Sequence, residues 1–253
     1  MLKLATWNVN GIRARHAEVF DWIDRERPDV VCLQELKATP DQVPITLCTM
    51  EGYWCYWHGG RAYSGVGLHV SKAIAPDPPA FTHPAFDFEN RIVSVDVATA
   101  HGPLTVASVY VPNGGKDFMA KKAFLEQMDA FAASYQASGR LLAILGDLNV
   151  ARTERDVHPK ERKPRAIGQL PEERAVIERI LSRGLVDVGR ALDPDNDGLF
   201  TWWAPWRNMR QRNIGWRLDY VFAGEPLAAR AIDCPVQAAV GTSDHAPVVA
   251  SFA

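Results

Sequence analysis

The chain has 253 residues, of which 47% are hydrophobic and 23% are charged. This composition suits a globular protein with a sizeable core and excludes a disordered or fibrous chain. The formal net charge of -2 excludes a global basic field, so a polyanionic partner would have to bind to local patches of positive charge.

Cysteine usage and the absence of long apolar runs indicate in which cellular compartment the protein is expected to lie. The four cysteines have no C-x-x-C pairing and no metal-ligand spacing, which is typical of reduced thiols in a cytosolic protein. The N-terminus enters a strand pattern directly, without the charged and apolar regions of a signal peptide, and no apolar stretch approaches the ~20 residues of a membrane span. We therefore expect a cytoplasmic protein with no membrane partner.

Hydrophobic periodicity predicts alternating strands and helices. In chain order we expect strands at Leu2–Asn8, Asp29–Gln34, Tyr53–Trp57, Val66–Val70, Arg91–Val97, Leu104–Tyr110, Leu141–Leu145, Phe200–Trp203, Arg217–Phe222 and Pro247–Phe252, with helices at Ala14–Arg27, Phe118–Ala137 and Glu172–Arg183. Many strands with few, separated helices favour two packed sheets with helices outside, not a doubly wound parallel sheet. No repeat or linker interrupts residues 1–253, which we expect to form one domain.

The run Leu141–Leu145 is typical of a strand buried on both faces. We expect Gly146 to break this strand, so that Asp147 and Asn149 stand at its exit, where open α/β folds place their chemistry. Taken alone, these two side chains are better explained as an Asx turn and a helix cap.

Similar polar groups recur at five other strand ends. They lie in Trp7–Gly11, Leu33–Glu35, Tyr110–Gly114, Arg217–Tyr220 and Ser243–Pro247. For any single site a turn or a structural side chain is the better explanation. Taken together, the six sites supply many oxygen ligands. Such a ligand set favours Mg²⁺ or Mn²⁺ and suits zinc poorly.

Seven motifs in order carry a resemblance to a known family. They are W-N-V-N-G-I-R-A (7–14), L-Q-E-L-K (33–37), Y-S-G-V-G (63–67), Y-V-P-N-G (110–114), G-D-L-N-V-A (146–151), G-W-R-L-D-Y (215–220) and S-D-H-A-P (243–247). The chain resembles the exonuclease III family of abasic-site DNA repair endonucleases, in the endonuclease/exonuclease/phosphatase superfamily with its DNase I-like scaffold. The resemblance implies a four-layered α/β sandwich with its site at one rim of the two sheets.

The resemblance also implies roles for individual residues. Metal ligation would fall to Glu35, with help from Asn10 and Asp244; Asp147, Asn149 and His245 could also reach an ion. Asp147 would orient or deprotonate the attacking water, and Asn8 and Asn149 would donate hydrogen bonds to the phosphate. His245 would contact a phosphate oxygen while Asp219 orients it, and Tyr110 would donate to the phosphate or serve the leaving group. Some family members carry Asp where this chain has Asn10, which makes Asn10 the weaker ligand.

Two basic runs, at 152–165 and 207–217, flank the proposed catalytic motifs and predict a track for DNA phosphates. By resemblance, Arg13 and Tyr63 would touch the DNA backbone, and Trp202, Trp216 and Leu218 would form an apolar pocket for a flipped, base-free sugar. For Trp202, ordinary core packing is an equal alternative. Trp206 would wedge into the duplex beside Arg207, and Ala166 is a candidate for the pocket rim.

Together these features predict a Mg²⁺- or Mn²⁺-dependent phosphodiesterase that acts as a monomer on double-stranded DNA. It would cut 5′ to an abasic site, leave a 3′-hydroxyl, and trim blocked or ordinary 3′ ends. The alternatives are an enzyme that is mainly a 3′–5′ exonuclease, a superfamily phosphatase or lipid phosphodiesterase, and a non-catalytic DNA-binding module. The motif W-R-L-D-Y and the basic runs argue against the phosphatase, and the complete set of acidic and histidine side chains argues against the binding module.

Overall fold

The computed structural model describes residues 1–61, 63–100 and 102–253, and within them twelve strands form two six-stranded sheets. The first sheet has, in spatial order, β11 (Ala231–Asp233), β12 (Val248–Phe252), β1 (Leu2–Asn8), β2 (Val30–Gln34), β4 (Val66–Ser71) and β3 (Tyr53–His58). The second has β5 (Phe81–Thr82), β6 (Ile92–Thr99), β7 (Gly102–Tyr110), β8 (Leu141–Asp147), β10 (Asp219–Gly224) and β9 (Leu185–Asp187).

The sheets pack face to face and helices cover their outer faces. One apolar cluster lies between the sheets and takes side chains from both, such as Leu4 and Leu68 from the first and Val106 and Leu145 from the second. Outside the first sheet lie α1 (Ile12–Glu26) and α2 (Ile45–Cys48), and outside the second lie α3 (Phe118–Ser138) and α4 (Pro171–Leu181). Two short helices, α5 (Val188–Leu192) and α6 (Glu225–Ala228), contact β9 and β10. The four-layered α/β sandwich is therefore confirmed.

Both sheets repeat one pairing pattern, which places the site. In each, a single parallel pair, β1 with β2 or β7 with β8, is flanked by antiparallel strands. A parallel pair ends both its strands at the same edge, and here the register aligns Asn8 with Gln34 and Tyr110 with Asp147. Because β1 contacts β8 and β2 contacts β7, these four ends meet at one rim of the sandwich.

Gly146 does not break β8, contrary to expectation. The strand continues through it to Asp147, with Gly146 paired to Val109 and Tyr220. Its φ is +148°, and a Cβ placed there would lie 1.9 Å from the carbonyl oxygen of Val109. The glycine is required by a close approach of β7, and not by a turn.

The prediction of a strand at Phe200–Trp203 is also wrong. Only isolated bridges form there, from Trp202 to Trp216 and to His245. The hydroxyl of Thr201 accepts from the backbone N–H groups of Leu218 and Asp219, which removes two donors that a ladder would have paired. The short strands β5, β9 and β11 were not predicted, since two or three residues carry no readable periodicity.

Candidate active site

The side-chain amide of Asn8 lies at the centre of the rim. Its Nδ2 donates to Glu35 Oε1 at 3.0 Å and to Asp147 Oδ2 at 2.9 Å, and lies 3.4 Å from His245 Nε2. Asn8, Asp147 and His245 are almost completely buried. The structure thus brings together side chains that were predicted from four separate strand ends.

His245 is held by a chain of buried hydrogen bonds. Its Nδ1 lies 2.8 Å from Asp219 Oδ2, and that oxygen also accepts from the hydroxyl of Thr201 at 2.6 Å. Because a carboxylate only accepts, Nδ1 carries the proton and Nε2 faces Asn8 and Asp147. This is the arrangement expected for an oriented, proton-carrying imidazole.

Burial and neighbouring charges together raise the pKa values of both His245 and Asp147. Burial disfavours the imidazolium of His245, but the negative charges of Asp219 and Asp147 outweigh burial and raise its pKa. Burial raises the pKa of Asp147; His245 opposes this, while Asp219 and Glu35 add to it, and the pKa ends above its usual range. A buried carboxylate with a raised pKa is suited to proton transfer near neutral pH.

Asn149 fixes the orientation of Asp147. Its backbone N–H donates to Asp147 Oδ1 at 2.8 Å, and its side-chain Nδ2 donates to Asp147 Oδ2 at 3.2 Å and to the carbonyl of Val111 at 2.9 Å. The residue has a φ of +51°, which Asn tolerates better than most residues. With both side-chain hydrogens engaged inside the protein, the donation of Asn149 to a phosphate stays a prediction.

Glu35 and Asn10, two predicted metal ligands, are bridged by a lysine. Lys37 Nζ lies 2.7 Å from Glu35 Oε2 and donates to Asn10 Oδ1 at 2.5 Å. Burial raises the pKa of Glu35, but His245, Asn8 and Lys37 outweigh it, so that its pKa falls and the side chain is anionic. Both residues have positive φ, +52° at Glu35 and +44° at Asn10.

Asp244, the third predicted ligand, lies beyond Asn10. Its Oδ1 accepts from Asn10 Nδ2 at 2.7 Å and its Oδ2 accepts from the indole of Trp202 at 3.0 Å. Burial raises its pKa, but His245, Trp202 and Asn10 outweigh burial and the pKa is lowered. Among the described residues, the set that could hold an ion at this rim is Glu35, Asp147 and His245, whose ligand atoms lie within 4.8 Å of one another. Ligation by Asn10, Asn149 and Asp244 stays a prediction.

Tyr110 lies beside the carboxylates. Burial, followed by the charges of Glu35 and Asp147, raises the pKa of its hydroxyl, and the nearby guanidinium of Arg91 only partly offsets this. That guanidinium is 4.9 Å from the centroid of the Tyr110 ring. The raised pKa favours the protonated hydroxyl, and the role of Tyr110 in catalysis stays a prediction.

A cleft of about 300 Å³ opens over these groups. Trp202, Trp216 and Leu218, predicted as an apolar pocket, line it together with Glu35, Tyr110, Asn149, Asp244 and His245. The rings of Trp202 and Trp216 meet edge to face at 5.8 Å, and the indole N–H of Trp216 has no partner. Ile167 lines the cleft; Ala166, the residue considered for the rim, does not.

The structure corrects part of the predicted basic track. Arg217 is 3% exposed, because its guanidinium is held by Asp156 at 2.7 Å and by Asp187 at 2.6 Å, so it cannot reach DNA. Arg210 donates to the carbonyls of Ala238, Val240 and Ser243, which anchors the loop. Arg152 pairs with Glu178 and Asp187.

Other predicted DNA-contacting residues are free to meet a partner. Trp206 is 59% exposed and Tyr63 is 53% exposed. Arg13 and Arg207 are exposed as well. The structure places them on the surface, and their contact with DNA stays a prediction.

Lys121 is a supporting residue that the sequence reasoning missed. Its fully buried Nζ lies 2.5 Å from Glu173 Oε1 and donates to the carbonyls of Asn149 at 2.8 Å and Asn113 at 3.2 Å. It thereby links two loops of the site. The signal was present, since Lys121 stands one turn before Phe124 on the apolar face of α3.

Within the described residues, no helix is long and apolar enough to cross a membrane.

Comparison with known proteins places this chain in a family. The model of the endonuclease/exonuclease/phosphatase family matches residues 5–245. The chain is 32% identical to an exodeoxyribonuclease of Bacillus subtilis over 98% of each protein, and 29% identical to exodeoxyribonuclease III of Haemophilus influenzae over 99% of this chain and all of that one. It is 31% identical to recombination repair protein 1 of Drosophila melanogaster over 99% of its own length, but spans 37% of that protein.

Solved structures of proteins with related names have the same fold as this chain. An AP endonuclease from Archaeoglobus fulgidus superposes with a TM-score of 0.85 and 28% identity, covering 100% of this chain and 99% of that one. The 3′ phosphatase NExo from Neisseria, bound to a product DNA hairpin, superposes with a TM-score of 0.88 and 28% identity over 100% of both chains.

Proposed function

The chain belongs to the endonuclease/exonuclease/phosphatase family, and we propose that it is a Mg²⁺-dependent DNA repair nuclease that cuts on the 5′ side of an abasic site. The cut would leave a 3′-hydroxyl, and the same site would trim blocked or ordinary 3′ ends. The relatives named exodeoxyribonuclease and the neighbours named AP endonuclease and 3′ phosphatase support this range of substrates.

One observation carries the proposal. A single buried amide, that of Asn8, donates to Glu35 and Asp147, and its nitrogen lies 3.4 Å from His245 Nε2. These groups provide an anion that can hold a metal, a base that can activate water, and a cation that can bind a phosphate oxygen. Phosphodiester hydrolysis needs these three functions around one phosphorus atom.

We assign the water-activating role to Asp147. Its pKa is raised by burial and by the nearby acids, and Asn149 orients both of its oxygens. Tyr110 is the alternative base, but its pKa is raised by burial next to Glu35 and Asp147, so it keeps its proton and serves as a donor. Water attack therefore begins with proton transfer to Asp147.

His245 binds the phosphate as a cation. Asp219 holds Nδ1, and the charges of Asp219 and Asp147 outweigh burial in raising the pKa of the ring, so the imidazole stays protonated at neutral pH. Its Nε2–H points towards Asn8 and Asp147, where negative charge would develop on the phosphate oxygens.

Glu35, with the carboxylate of Asp147 nearby, fits a divalent cation at the rim, and His245 would not ligate the ion while its ring is protonated. Carboxylate and amide oxygens dominate the surroundings, which favours Mg²⁺ or Mn²⁺ over softer ions. A bound ion would neutralise a phosphate oxygen and the charge that develops during displacement. Lys37 must move away from Asn10 before Asn10 can become a ligand, because its ammonium group now donates to Asn10 Oδ1.

The cleft fits the substrate class. A sugar without a base could enter between Trp202 and Leu218, next to His245 and Glu35, whereas a base-bearing nucleotide must also place its ring there. Exposed Arg13, Tyr63 and Arg207 would bind the flanking phosphates.

The test compares three end-labelled duplexes, one with a central abasic site, one intact, and one with a 3′-phosphate. Each is incubated with the protein in Mg²⁺ or in EDTA. We expect a single cut 5′ to the abasic site in Mg²⁺, slower loss of 3′ ends from the other two, and no reaction in EDTA. If no duplex is cleaved in Mg²⁺ or Mn²⁺, the proposed function is wrong.

A further inference from the structure

A second group of metal-ligating side chains lies where an edge strand of the first sheet meets an edge strand of the second. His58 ends β3, the edge strand of the first sheet, and His83 directly follows β5, the edge strand of the second. Asp87 lies in the loop that leads from β5 to β6. One ligand atom from each of these three residues lies within 4.8 Å of the others. None of them takes part in the site described above.

The two imidazoles and the carboxylate are already in contact. The rings of His58 and His83 lie 3.9 Å apart between centroids, and His58 Nε2 lies 2.6 Å from Asp87 Oδ2. Below them, Tyr56 of β3 stacks on Phe81 of β5 at 4.7 Å, which holds the two edges together. Packing between the two edge strands therefore fixes the positions of these side chains.

Hydrogen bonds behind the cluster leave the ligand atoms facing one another. His83 Nδ1 lies 3.3 Å from the carbonyl of Ile92, which can only accept, so Nδ1 carries the proton and the lone pair of Nε2 accepts from the hydroxyl of Tyr56 at 2.8 Å. Asp87 Oδ1 accepts from the backbone N–H groups of Arg91 and Ile92, which leaves Oδ2 for a ligand. Backbone partners of this kind orient the ligands in protein metal sites.

We propose that His58, His83 and Asp87 form a second metal site, for a divalent ion of the Zn²⁺ class, that clamps the edge of one sheet to the edge of the other. Two imidazoles and one carboxylate are a donor set that Zn²⁺, Ni²⁺ and Cu²⁺ prefer and that Mg²⁺ does not. The ion takes the place of the proton on His58 Nε2 and of the hydrogen bond from Tyr56 to His83 Nε2. His83 is exposed, so an ion reaches the site from solvent and water completes its coordination.

Contacts of Asp87 also connect the proposed metal site to the catalytic rim. Asp87 Oδ1 binds the backbone of Arg91, and the guanidinium of Arg91 lies over the ring of Tyr110. The backbone carbonyl of Arg91 in turn accepts from Tyr110 N at 2.8 Å. A metal ion on Asp87 therefore stabilises the segment that packs against Tyr110, as well as the two sheet edges.

The test is thermal unfolding of the EDTA-treated full chain with increasing Zn²⁺, in the presence of excess Mg²⁺. Because an ion that binds only the folded state stabilises it, we expect the Tm to rise by roughly 5 °C or more at a hundredfold excess over the Kd. His83→Ala and His58→Gln should each weaken Zn²⁺ binding at least about 10-fold. His16→Ala, a histidine on α1 far from the cluster in sequence, is the matched control and should respond like wild type.

Zn²⁺ could also enter the catalytic rim, so the titration is repeated in Glu35→Gln. The proposal requires the Tm rise to persist in Glu35→Gln and to be lost in His83→Ala. It also requires visible absorption bands of bound Co²⁺ in wild type that are missing from His83→Ala. A Tm rise that is the same in wild type and His83→Ala, or one that disappears in Glu35→Gln, overturns the proposal. DNA cleavage in Mg²⁺ by His83→Ala should equal that of wild type.

Discussion

At the scale of single residues, the site depends on hydrogen bonds between side chains that are distant in sequence. Asn8 and Asp147 are joined across the two sheets, and Asp219 and His245 are joined across the rim. The residue types were predictable, because strand ends rich in Asn, Asp and Glu are visible in the sequence and the motifs resemble a known family. The junction at the Asn8 amide was not, because it depends on how β1 packs against β8.

Asp219→Asn tests the support of His245. The substitution keeps the shape but removes the charge that favours the imidazolium, and an amide can present a donor to Nδ1 in place of an acceptor. By analogy with other carboxylate–histidine pairs we expect kcat on abasic DNA to fall about 100-fold or more, with an unchanged Tm. Asp233→Asn, at an exposed aspartate, is the control. A kcat within a factor of two of wild type would refute the orienting role.

Arg217 shows where residue-level reasoning from sequence fails. A basic side chain beside catalytic motifs resembles a phosphate ligand, but Arg217 is buried and its charge is matched by Asp156 and Asp187. These acids lie 61 and 30 residues away in sequence, so no local pattern could reveal the pairing. Exposure decides which arginines can bind DNA, and exposure is a property of the folded chain.

At the scale of elements, the strands and long helices followed their hydrophobic periodicity to within a few residues. Predicted Ala14–Arg27 is observed as α1 at Ile12–Glu26, and predicted Glu172–Arg183 as α4 at Pro171–Leu181. The segment Phe200–Trp203 failed because a threonine hydroxyl replaced ladder partners. Apolar runs predict burial, but they do not predict which backbone groups pair.

Gly146→Ala tests the close approach of β7 and β8. Since a Cβ there would lie 1.9 Å from the carbonyl oxygen of Val109, and φ is +148°, we expect the free energy of unfolding to fall by about 2–4 kcal/mol. Gly52→Ala is the matched control, with positive φ but no atom within 4 Å of its Cβ, and isolates the cost of the backbone angle. Urea denaturation measures both. Equal losses in the two variants would mean that the contact with Val109 contributes nothing.

His69, buried in β4, makes stability depend on pH. Burial lowers the pKa of His69 to about 4, below the value of about 6.5 in an unfolded chain. The unfolded state therefore binds the proton first, and stability is lost as pH falls from 6.5 towards 4. Relative to His69→Phe, wild type should lose about 2 kcal/mol of unfolding free energy between pH 7 and pH 4.5. A difference between the two proteins that stays constant with pH would contradict this.

At the scale of the whole molecule, the chain is slightly acidic and yet would bind a polyanion. The formal net charge of -2 means that exposed cations around the cleft must supply the attraction. The overall architecture could be predicted from the resemblance and the strand pattern. The distribution of charge could not, since several arginines of the two basic runs are taken up by internal pairs.

Trp206→Ala tests whether the indole of Trp206 inserts into the DNA duplex. The indole is 59% exposed beside Arg207, and as a wedge it would stabilise a duplex that is kinked at the abasic site. Loss of one inserted aromatic should weaken the affinity for abasic duplex by about 1–3 kcal/mol, that is, roughly 5- to 150-fold, with a smaller change for intact duplex. Fluorescence anisotropy in EDTA measures both affinities. An equal affinity of variant and wild type for abasic DNA would exclude the wedge.

The central claim is that the rim around Asn8 is the catalytic centre of a metal-dependent DNA phosphodiesterase. The most direct measurement is single-turnover cleavage of a labelled abasic duplex in Mg²⁺ by wild type, Glu35→Gln and Asp147→Asn, with folding checked by Tm. We predict rapid cutting 5′ to the abasic site by wild type and a loss of about 100-fold or more in each variant. Near wild-type rates in either folded variant would contradict the account.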